Sequence, residues 1–253
     1  MKSKMTKKLI FLLISMFFVS ISDAQNMRKQ LKKRTAEVGL VGDLGYYGNP
    51  HWGIGINGQY LHGIGRKKQR FSIGCGLRGF LFFSEKRDYS TSSPALSARN
   101  RGGADTMYMP KVQTNTINAY IALKINIKKG VDIHLNTDLG GINFGDSKDG
   151  FFRSYETDPI PPGKKYKTEP YGFNINMGSG SYGSLLSELY GSFRLSEQFL
   201  WRLGINYYRN EYKLDTNIPM NGRRFFQNQW MVMSGIAVNL RWKKDIAQSQ
   251  YFY

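Results

Sequence analysis

The chain has 253 residues, a single cysteine and a formal net charge of +18, from 36 Lys and Arg against 18 Asp and Glu. One cysteine excludes an internal disulfide framework, so packing and backbone hydrogen bonds must hold the fold together. The surplus of positive charge indicates an anionic partner, with nucleic acid and lipid phosphate as the two candidates.

The first 24 residues predict a secretory signal peptide. Lysines begin the segment, residues 9–21 are apolar, and Ser22-Asp23-Ala24 supplies the small residues that precede a cleavage site. The apolar run of about a dozen residues is too short to cross a membrane core of about 30 Å as a helix. We therefore expect residues 1–24 to be removed. A basic periplasmic leader over residues 25–34 follows.

Polar and apolar residues then alternate in eight separate segments, starting with Ala36-Glu37-Val38-Gly39-Leu40, and no convincing helix lies between them. The alternation predicts an all-β fold, with one antiparallel up-and-down sheet over residues 35–242 that closes on itself. The predicted strands are 35–46, 51–63, 70–83, 113–127, 131–145, 184–194, 198–210 and 228–242.

The connections between these strands differ in length in a regular way. Residues 64–69, 128–130 and 195–197 are tight turns at one end of the sheet. The connections at the other end are the short one near Asn49 and three long polar loops at 84–112, 146–183 and 211–227. The loop 84–112 is predicted to be flexible. Transmembrane barrels of outer membranes have this asymmetry, with short periplasmic turns and long extracellular loops.

The two faces of the predicted sheet differ in composition. One face is almost wholly aliphatic, as in the alternate positions from Ile117 to Ile125, whereas the other carries glycine, amides and charges. A narrow eight-stranded barrel needs small residues on its inner wall. Backbone groups in hydrocarbon are satisfied only by a helix or a closed sheet. We therefore expect the apolar face to meet lipid and the polar face to line the lumen, with aromatic rims that include Trp52, Trp201 and Trp230.

With this signal, strand pattern and loop asymmetry, the chain resembles the small eight-stranded outer-membrane barrels of the OmpA and OmpX type, in the broad porin-like form. The resemblance implies an integral protein of the bacterial outer membrane with periplasmic termini. Members commonly end their last strand on a terminal aromatic residue, whereas here Lys243-Lys244-Asp245 follows Trp242. Either Trp242 closes the barrel and residues 243–253 form a periplasmic tail, which we favour, or the tail itself carries the assembly signal.

The lumen face also carries ionisable residues of both signs. Because an unpaired charge in a narrow lumen costs several kcal/mol, we expect a paired structural network that fills the interior. The alternative is an ion path, or a proton-active cluster around His134. The predicted network comprises Glu37, Asp43, Arg78, Lys124, Asp132, His134, Asp138, Glu188, Arg202 and Arg241.

No enzyme, cofactor or metal site is predicted. His51, His62 and His134 have no serine two residues away on the same face, and Ser179-Gly180-Ser181-Tyr182-Gly183 lacks the first glycine and the helix of a nucleophile elbow. The segment Asp146-Ser147-Lys148-Asp149-Gly150 lacks the distal glutamate of a calcium loop.

The longest loop combines aromatic residues with prolines, which suits a protein or glycan partner; the alternative is a lid over the barrel mouth. The aromatic residues are Phe151, Phe152, Tyr155, Tyr166, Tyr171 and Phe173. Cations of the external loops are expected to pair with phosphates of the outer-leaflet glycolipid. These cations are Lys86, Arg87, Arg99, Arg101, Lys111, Lys164, Lys165, Lys167, Arg223 and Arg224.

The sequence thus predicts an outer-membrane barrel with a filled lumen that acts in surface binding or structure through its extracellular loops. One alternative is a barrel subunit of a larger secretion or transfer assembly, with the segment Arg28 to Arg34 as a periplasmic docking site. Further alternatives are a small pore and a lipid-modifying enzyme. Nucleic acid is not an expected partner, because the chain is secreted and lacks a basic stacking face.

Overall fold

The computed structural model describes residues 34–45, 49–64, 70–91, 106–128, 130–153, 163–177, 181–218 and 222–240. The predicted signal peptide, most of the basic leader, Arg241, Trp242 and the tail lie outside these ranges. Within them the chain forms eleven strands. In chain order they are β1 (Arg34–Gly45), β2 (His51–Ile64), β3 (Phe71–Thr91), β4 (Thr106–Lys128), β5 (Val131–Phe144), β6 (Lys148–Arg153), β7 (Lys165–Pro170), β8 (Phe173–Ile175), β9 (Leu185–Arg194), β10 (Phe199–Ile218) and β11 (Gly222–Leu240).

Eight of these strands form a closed antiparallel ring in the order β1-β2-β3-β4-β5-β9-β10-β11. The first and last strands close it, with a register that runs from Ala36 opposite Leu240 to Leu44 opposite Val232. Each of the eight segments predicted from alternation lies on one of these strands. The predicted all-β, eight-stranded, up-and-down architecture is confirmed.

The glycines on the polar face make room for long side chains inside the ring. A Cβ added to Gly39 would lie 2.5 Å from Nη1 of Arg202, and one added to Gly76 would overlap the ring of Tyr120. Glycine therefore serves here to bring the backbone close to a bulky neighbour. The interior is narrow enough that side chains from one wall reach the other.

Beyond the ring, four strands continue much further than predicted and form a second, smaller ring, which we call the extension. The upper parts of β3, β4, β10 and β11 join β6 and β7 in the closed order β3-β4-β6-β7-β10-β11. Phe225 opposite Thr91 and Phe226 opposite Ser90 complete it. The interpretation of 84–112 as a flexible loop is wrong for residues 84–91 and 106–112, which are paired strand.

A one-residue shift in side-chain alternation separates the two rings. Ser84 and Val112 are the last inward residues below the shift, and Arg87 and Met109 are the first above it. Between them lies Lys86, whose φ of 43° is in the left-handed region. A shift of one residue turns every following side chain to the opposite face. On β3 and β4, the face that points outward in the eight-stranded ring therefore points inward in the extension, whereas β10 and β11 keep the same inward face in both rings.

The extension has an apolar core, as a water-soluble sheet does. This core continues downward into the external end of the eight-stranded ring, so the two rings share one cluster of buried side chains. Its members are Phe80, Phe82, Tyr89, Met107, Met109, Val112, Phe152, Leu186, Tyr208, Tyr212, Leu214, Phe225 and Met231.

We expect Phe152→Ala to loosen the extension without opening the eight-stranded ring. Phe152 is fully buried in the apolar core, and emptying such a site costs about 3–5 kcal/mol. Faster amide hydrogen exchange in β6 and β7 would show that the extension is loosened. Unchanged heat-modifiable gel mobility would show that the eight-stranded ring stays closed. Phe173→Ala is the matched control because Phe173 is 70% exposed. Equal exchange in both variants would contradict the assignment of this core.

Candidate functional site

Glu37 on β1 is the centre of one half of the lumen. Its Oε2 accepts hydrogen bonds from Arg202 Nη2 and Gln59 Nε2, both at 2.9 Å, and its Oε1 lies 3.6 Å from Lys124 Nζ. Arg202 also donates to Asn57 Oδ1 at 2.8 Å. These side chains come from β1, β2, β4 and β10, so the cluster joins opposite walls of the ring.

Arg78 on β3 is the centre of the other half. Its Nη2 lies 2.8 Å from Glu188 Oε2, and its Nη1 lies 3.3 Å from Asp138 Oδ1. The guanidinium also stacks over the ring of Tyr120, 4.7 Å from the ring centroid. Because a buried charge is tolerated only when it is paired and hydrogen-bonded, these contacts offset the desolvation of both acids and of Arg78.

Two other predicted lumen carboxylates are buried against amides. Asp43 Oδ1 accepts a hydrogen bond from Asn206 Nδ2, and Asp132 Oδ1 accepts one from Asn126 Nδ2, each at 2.7 Å. Neither carboxylate forms an ion pair with a cation of the described strands. Arg241, the tenth residue of the predicted network, lies outside the described residues.

His134 forms a contact that the sequence analysis did not find. Its Nε2 lies 3.2 Å from the Oγ of Ser192, and its ring stacks on Tyr190 at 4.7 Å. Hydrolytic catalysis needs access to substrate and a third group that orients the histidine. Both members of this pair are buried, and within the described part of the chain His134 Nδ1 has no hydrogen-bond partner. The contact between His134 and Ser192 therefore has neither access to substrate nor a third group that orients the histidine.

An apolar layer lies above the polar network at the external end of the lumen. The rings of Phe80 and Phe82 pack against Tyr208, with centroid distances of 5.2 and 4.9 Å. Leu186 and Met231 complete the layer and connect it to the core of the extension. The interior thus contains a charged layer and an apolar layer in series.

The aromatic residues of the predicted partner-binding loop do not share one surface. Phe152 faces inward, 6.4 Å from the ring of Phe225, so the expectation that it faces a partner is corrected. The alternation of β6 turns it toward the core. Phe151, Tyr166 and Tyr171 are half-buried and Phe173 is exposed, whereas Tyr155 lies outside the described residues.

Tyr171 and Phe173 instead line a cavity of about 410 Å³ on the outer surface of the extension. The cavity, which we call the basic pocket, is lined by Tyr171, Gly172, Phe173, Lys213, Arg223 and Arg224. Three of these six residues are cations. Two aromatic rings complete the wall, so the pocket combines positive charge with apolar surface.

Glu211 is the buried support of the basic pocket. Its carboxylate accepts hydrogen bonds from the backbone N–H of Gly183 at 2.8 Å, from Arg209 Nη2 at 3.5 Å, and from Arg224 Nε. The guanidinium of Arg224 also lies over the rings of Tyr171 and Tyr182. Burial lowers the pKa of Arg224, but the hydrogen bond and charge of Glu211 outweigh this and raise it above the ordinary value. Arg224 is therefore a fixed, permanent cation.

The outer face of the eight-stranded ring is an apolar belt. Leu44, Leu77 and Ile56 have exposed fractions of 70, 66 and 59%, and aliphatic side chains cover the same face on each strand of the ring. A monomer in water rarely exposes so large a continuous apolar surface. Stacked aromatic pairs, such as Trp52 with Phe83, border the belt. A closed antiparallel sheet with an even number of strands, an apolar band and aromatic borders is the transmembrane barrel of bacterial outer membranes.

The chain is an integral outer-membrane β-barrel. Several solved outer-membrane proteins are similar to it in strand arrangement. OprG from Pseudomonas aeruginosa is 8% identical with a TM-score of 0.37, covering 86% of this chain and 100% of its own. Neisserial surface protein A is 8% identical with a TM-score of 0.31, covering 82 and 96%. Ail of Yersinia pestis, in complex with the heparin analogue sucrose octasulfate, is 14% identical with a TM-score of 0.29, covering 81 and 97%.

No family model matches the chain. No curated protein matches it significantly. In the ranges that the structure describes, no helix is long and apolar enough to cross a membrane. Nor do those ranges bring together three or more His, Cys, Asp or Glu side chains that could hold a metal ion.

The sequence analysis identified most of the lumen charges but not their neutral partners. Gln59, Asn118 and Asn136 donate hydrogen bonds to buried carboxylates, and Asn57 accepts one from Arg202. All four amides share the polar face with the charged residues. The same alternation that located the charges was therefore sufficient to find the amides. Glu211 was missed for a different reason, since it lies in a segment predicted to be a polar loop.

We expect Glu37→Gln to lower the free energy of unfolding by about 3–5 kcal/mol, because it leaves the buried Arg202 and the half-buried Lys124 without their shared counterion. Urea unfolding of the barrel in lipid vesicles would measure this. Asp43→Asn is the matched control, since Asp43 is equally buried but bonds to an amide. A loss for Asp43→Asn as large as for Glu37→Gln would contradict this role for Glu37.

Proposed function

We propose that the protein is a sealed outer-membrane barrel that binds at the cell surface through its extension. The observation that carries this proposal is the closed six-stranded ring with its own apolar core, which projects beyond the membrane-spanning ring. Binding residues are commonly held on loops by a rigid scaffold, and here the scaffold itself reaches out of the membrane.

The filling of the lumen supports a sealed barrel rather than a pore. Water and ions that cross the barrel must pass the charged layer around Glu37 and Arg78 and then the apolar layer around Phe80. Arg202, Tyr190 and Tyr208 are among the largest buried side chains and have exposed fractions of 0–2%. Opening a path requires breaking buried ion pairs and moving aromatic rings together, which costs many times the thermal energy.

The same filling argues against a binding site inside the lumen. Arg78 and Arg202 already bind buried carboxylates and stack over Tyr120 and Tyr190, so neither arginine is available to a ligand there. A ligand is therefore expected to bind outside the lumen, and the extension offers a rigid surface beyond the membrane. This supports the extracellular face as the place of binding.

We expect the barrel to show no stepwise conductance in planar lipid bilayers, in contrast to a general porin incorporated under the same conditions. Insertion is verified separately by protease protection of the same preparation. Reproducible single-channel steps from the inserted barrel would contradict the sealed lumen and would favour the small-pore alternative.

Photocrosslinking on intact cells should separate a surface binder from a periplasmic assembly subunit. We expect a photoreactive amino acid in place of Lys167, which is exposed on the extension, to give adducts with a surface partner. The matched position is Lys128, which is exposed at the periplasmic end of β4. Adducts that arise chiefly from position 128 would favour the assembly alternative over the proposed function.

A further inference from the structure

The basic pocket lies above the aromatic border of the membrane belt, on the same two strands. Tyr207 of β10 stacks with Trp230 of β11 at 4.9 Å, and Trp230 is 61% exposed. Further along the same outer face come Arg209 on β10 and Arg224 on β11. Arg209 follows Tyr207 by two residues, about 7 Å along a strand. Cations thus begin directly beyond the level at which the aromatic side chains meet the membrane interface.

The pocket itself lies somewhat higher. Lys213 and Arg224 are each six residues beyond the aromatic pair, about 20 Å along the strand and about 15 Å in height when the strands tilt by roughly 40°. Its lower wall includes Phe173, which is exposed and pairs in register with Ile142 of the apolar belt. The cavity therefore extends from the edge of the apolar belt to the height of lipid headgroup sugars.

The charge balance of this surface is positive. Four cations, Arg209, Lys213, Arg223 and Arg224, share this surface with three carboxylates, Glu169, Glu211 and the exposed Asp215. Glu211 is buried beneath the arginines, and Glu169 pairs with Lys213 at 2.9 Å. Glu211 holds the guanidinium groups of Arg209 and Arg224, while Phe226, Tyr171 and Tyr182 stack against them. Arg209 and Arg224 are therefore held in place before any ligand arrives, which preorganises this part of the site.

We propose that the basic pocket binds a phosphate group on the sugar headgroup of the outer-leaflet glycolipid. Guanidinium and ammonium groups form strong, charge-assisted hydrogen bonds with phosphate oxygens. The aromatic wall suits the apolar face of a sugar ring. The height of the pocket over the belt fits a headgroup that is anchored in the membrane, rather than a solute from the medium. This assignment rests on the proposed surface role and names its ligand class.

The test uses the full barrel in phosphatidylcholine nanodiscs, titrated with rough lipopolysaccharide and followed by native mass spectrometry. The variant is Lys213→Gln/Arg223→Gln, which removes two cations of the pocket and spares Arg224, because Arg224 is one of the two cations that neutralise the buried Glu211. The matched control, Lys111→Gln/Lys148→Gln, removes the same charge from β4 and β6, on the other side of the extension. Heat-modifiable gel mobility verifies that both variants are folded.

We expect the pocket variant to bind at least about tenfold more weakly than the wild type, since a hydrogen bond to a charged group contributes about 1.5–3 kcal/mol. The control variant should bind within about twofold of the wild type. Rising salt should weaken wild-type binding more than variant binding, because part of the attraction is between exposed charges. Lipopolysaccharide that has been dephosphorylated with hydrofluoric acid should bind the wild type as weakly as the variant.

Three results would overturn the proposal. Equal affinity of the wild type and the pocket variant would show that the pocket is not the site. Undiminished binding of dephosphorylated lipopolysaccharide would show that phosphate is not recognised. Full displacement by millimolar inorganic phosphate would identify the free ion as the ligand. Each result leaves the conductance measurement unaffected, so failure of the glycolipid assignment is distinguishable from failure of the sealed-barrel function.

Discussion

The need to pair every backbone N–H and C=O within the hydrocarbon core governs the rest of this structure. An open sheet would leave two edges unpaired in lipid, so β1 must meet β11 and the eight strands must close. Closure of only eight strands produces an interior that side chains can just span. Charges on the inner wall are then forced into contact with one another, and the glycines at positions 39 and 76 leave space for them.

The lumen clusters follow from this confinement. Glu37 forms ion pairs with two cations, and Arg78 forms ion pairs with two acids. Each of these two residues therefore connects several strands. The amides fill the remaining hydrogen-bonding positions. Such a network contributes less to net stability than its number of contacts suggests, because both partners lose water. Its value lies in fixing the wall positions of β2, β4, β9 and β10 relative to each other.

Alternation predicted the membrane-spanning part well, because one face of each strand meets a single solvent and the period of two is unbroken from Ile117 to Ile125. The extension was missed for the same physical reason. Around Lys86 the pattern shifts by one residue, and beyond it apolar Tyr89 and Met107 alternate with polar neighbours on the opposite phase. If a single alternating pattern is assumed for the whole strand, residues 84–91 and 106–112 look irregular and polar. The pocket could not be predicted, since Tyr171, Lys213 and Arg224 meet only through the pairing of β7, β10 and β11.

The two rings differ in what stabilises them. The extension is stabilised by removing apolar side chains from water, so its stability follows the heat-capacity behaviour of an ordinary water-soluble core. The membrane ring gains nothing comparable by turning aliphatic side chains toward lipid, and depends instead on backbone pairing and its ionic interior. The two contributions meet at the external end of the lumen, because Phe80 and Tyr208 of the membrane ring belong to the same buried cluster as Phe152 and Phe225 of the extension. The packing of the extension therefore also supports the apolar layer that closes the barrel.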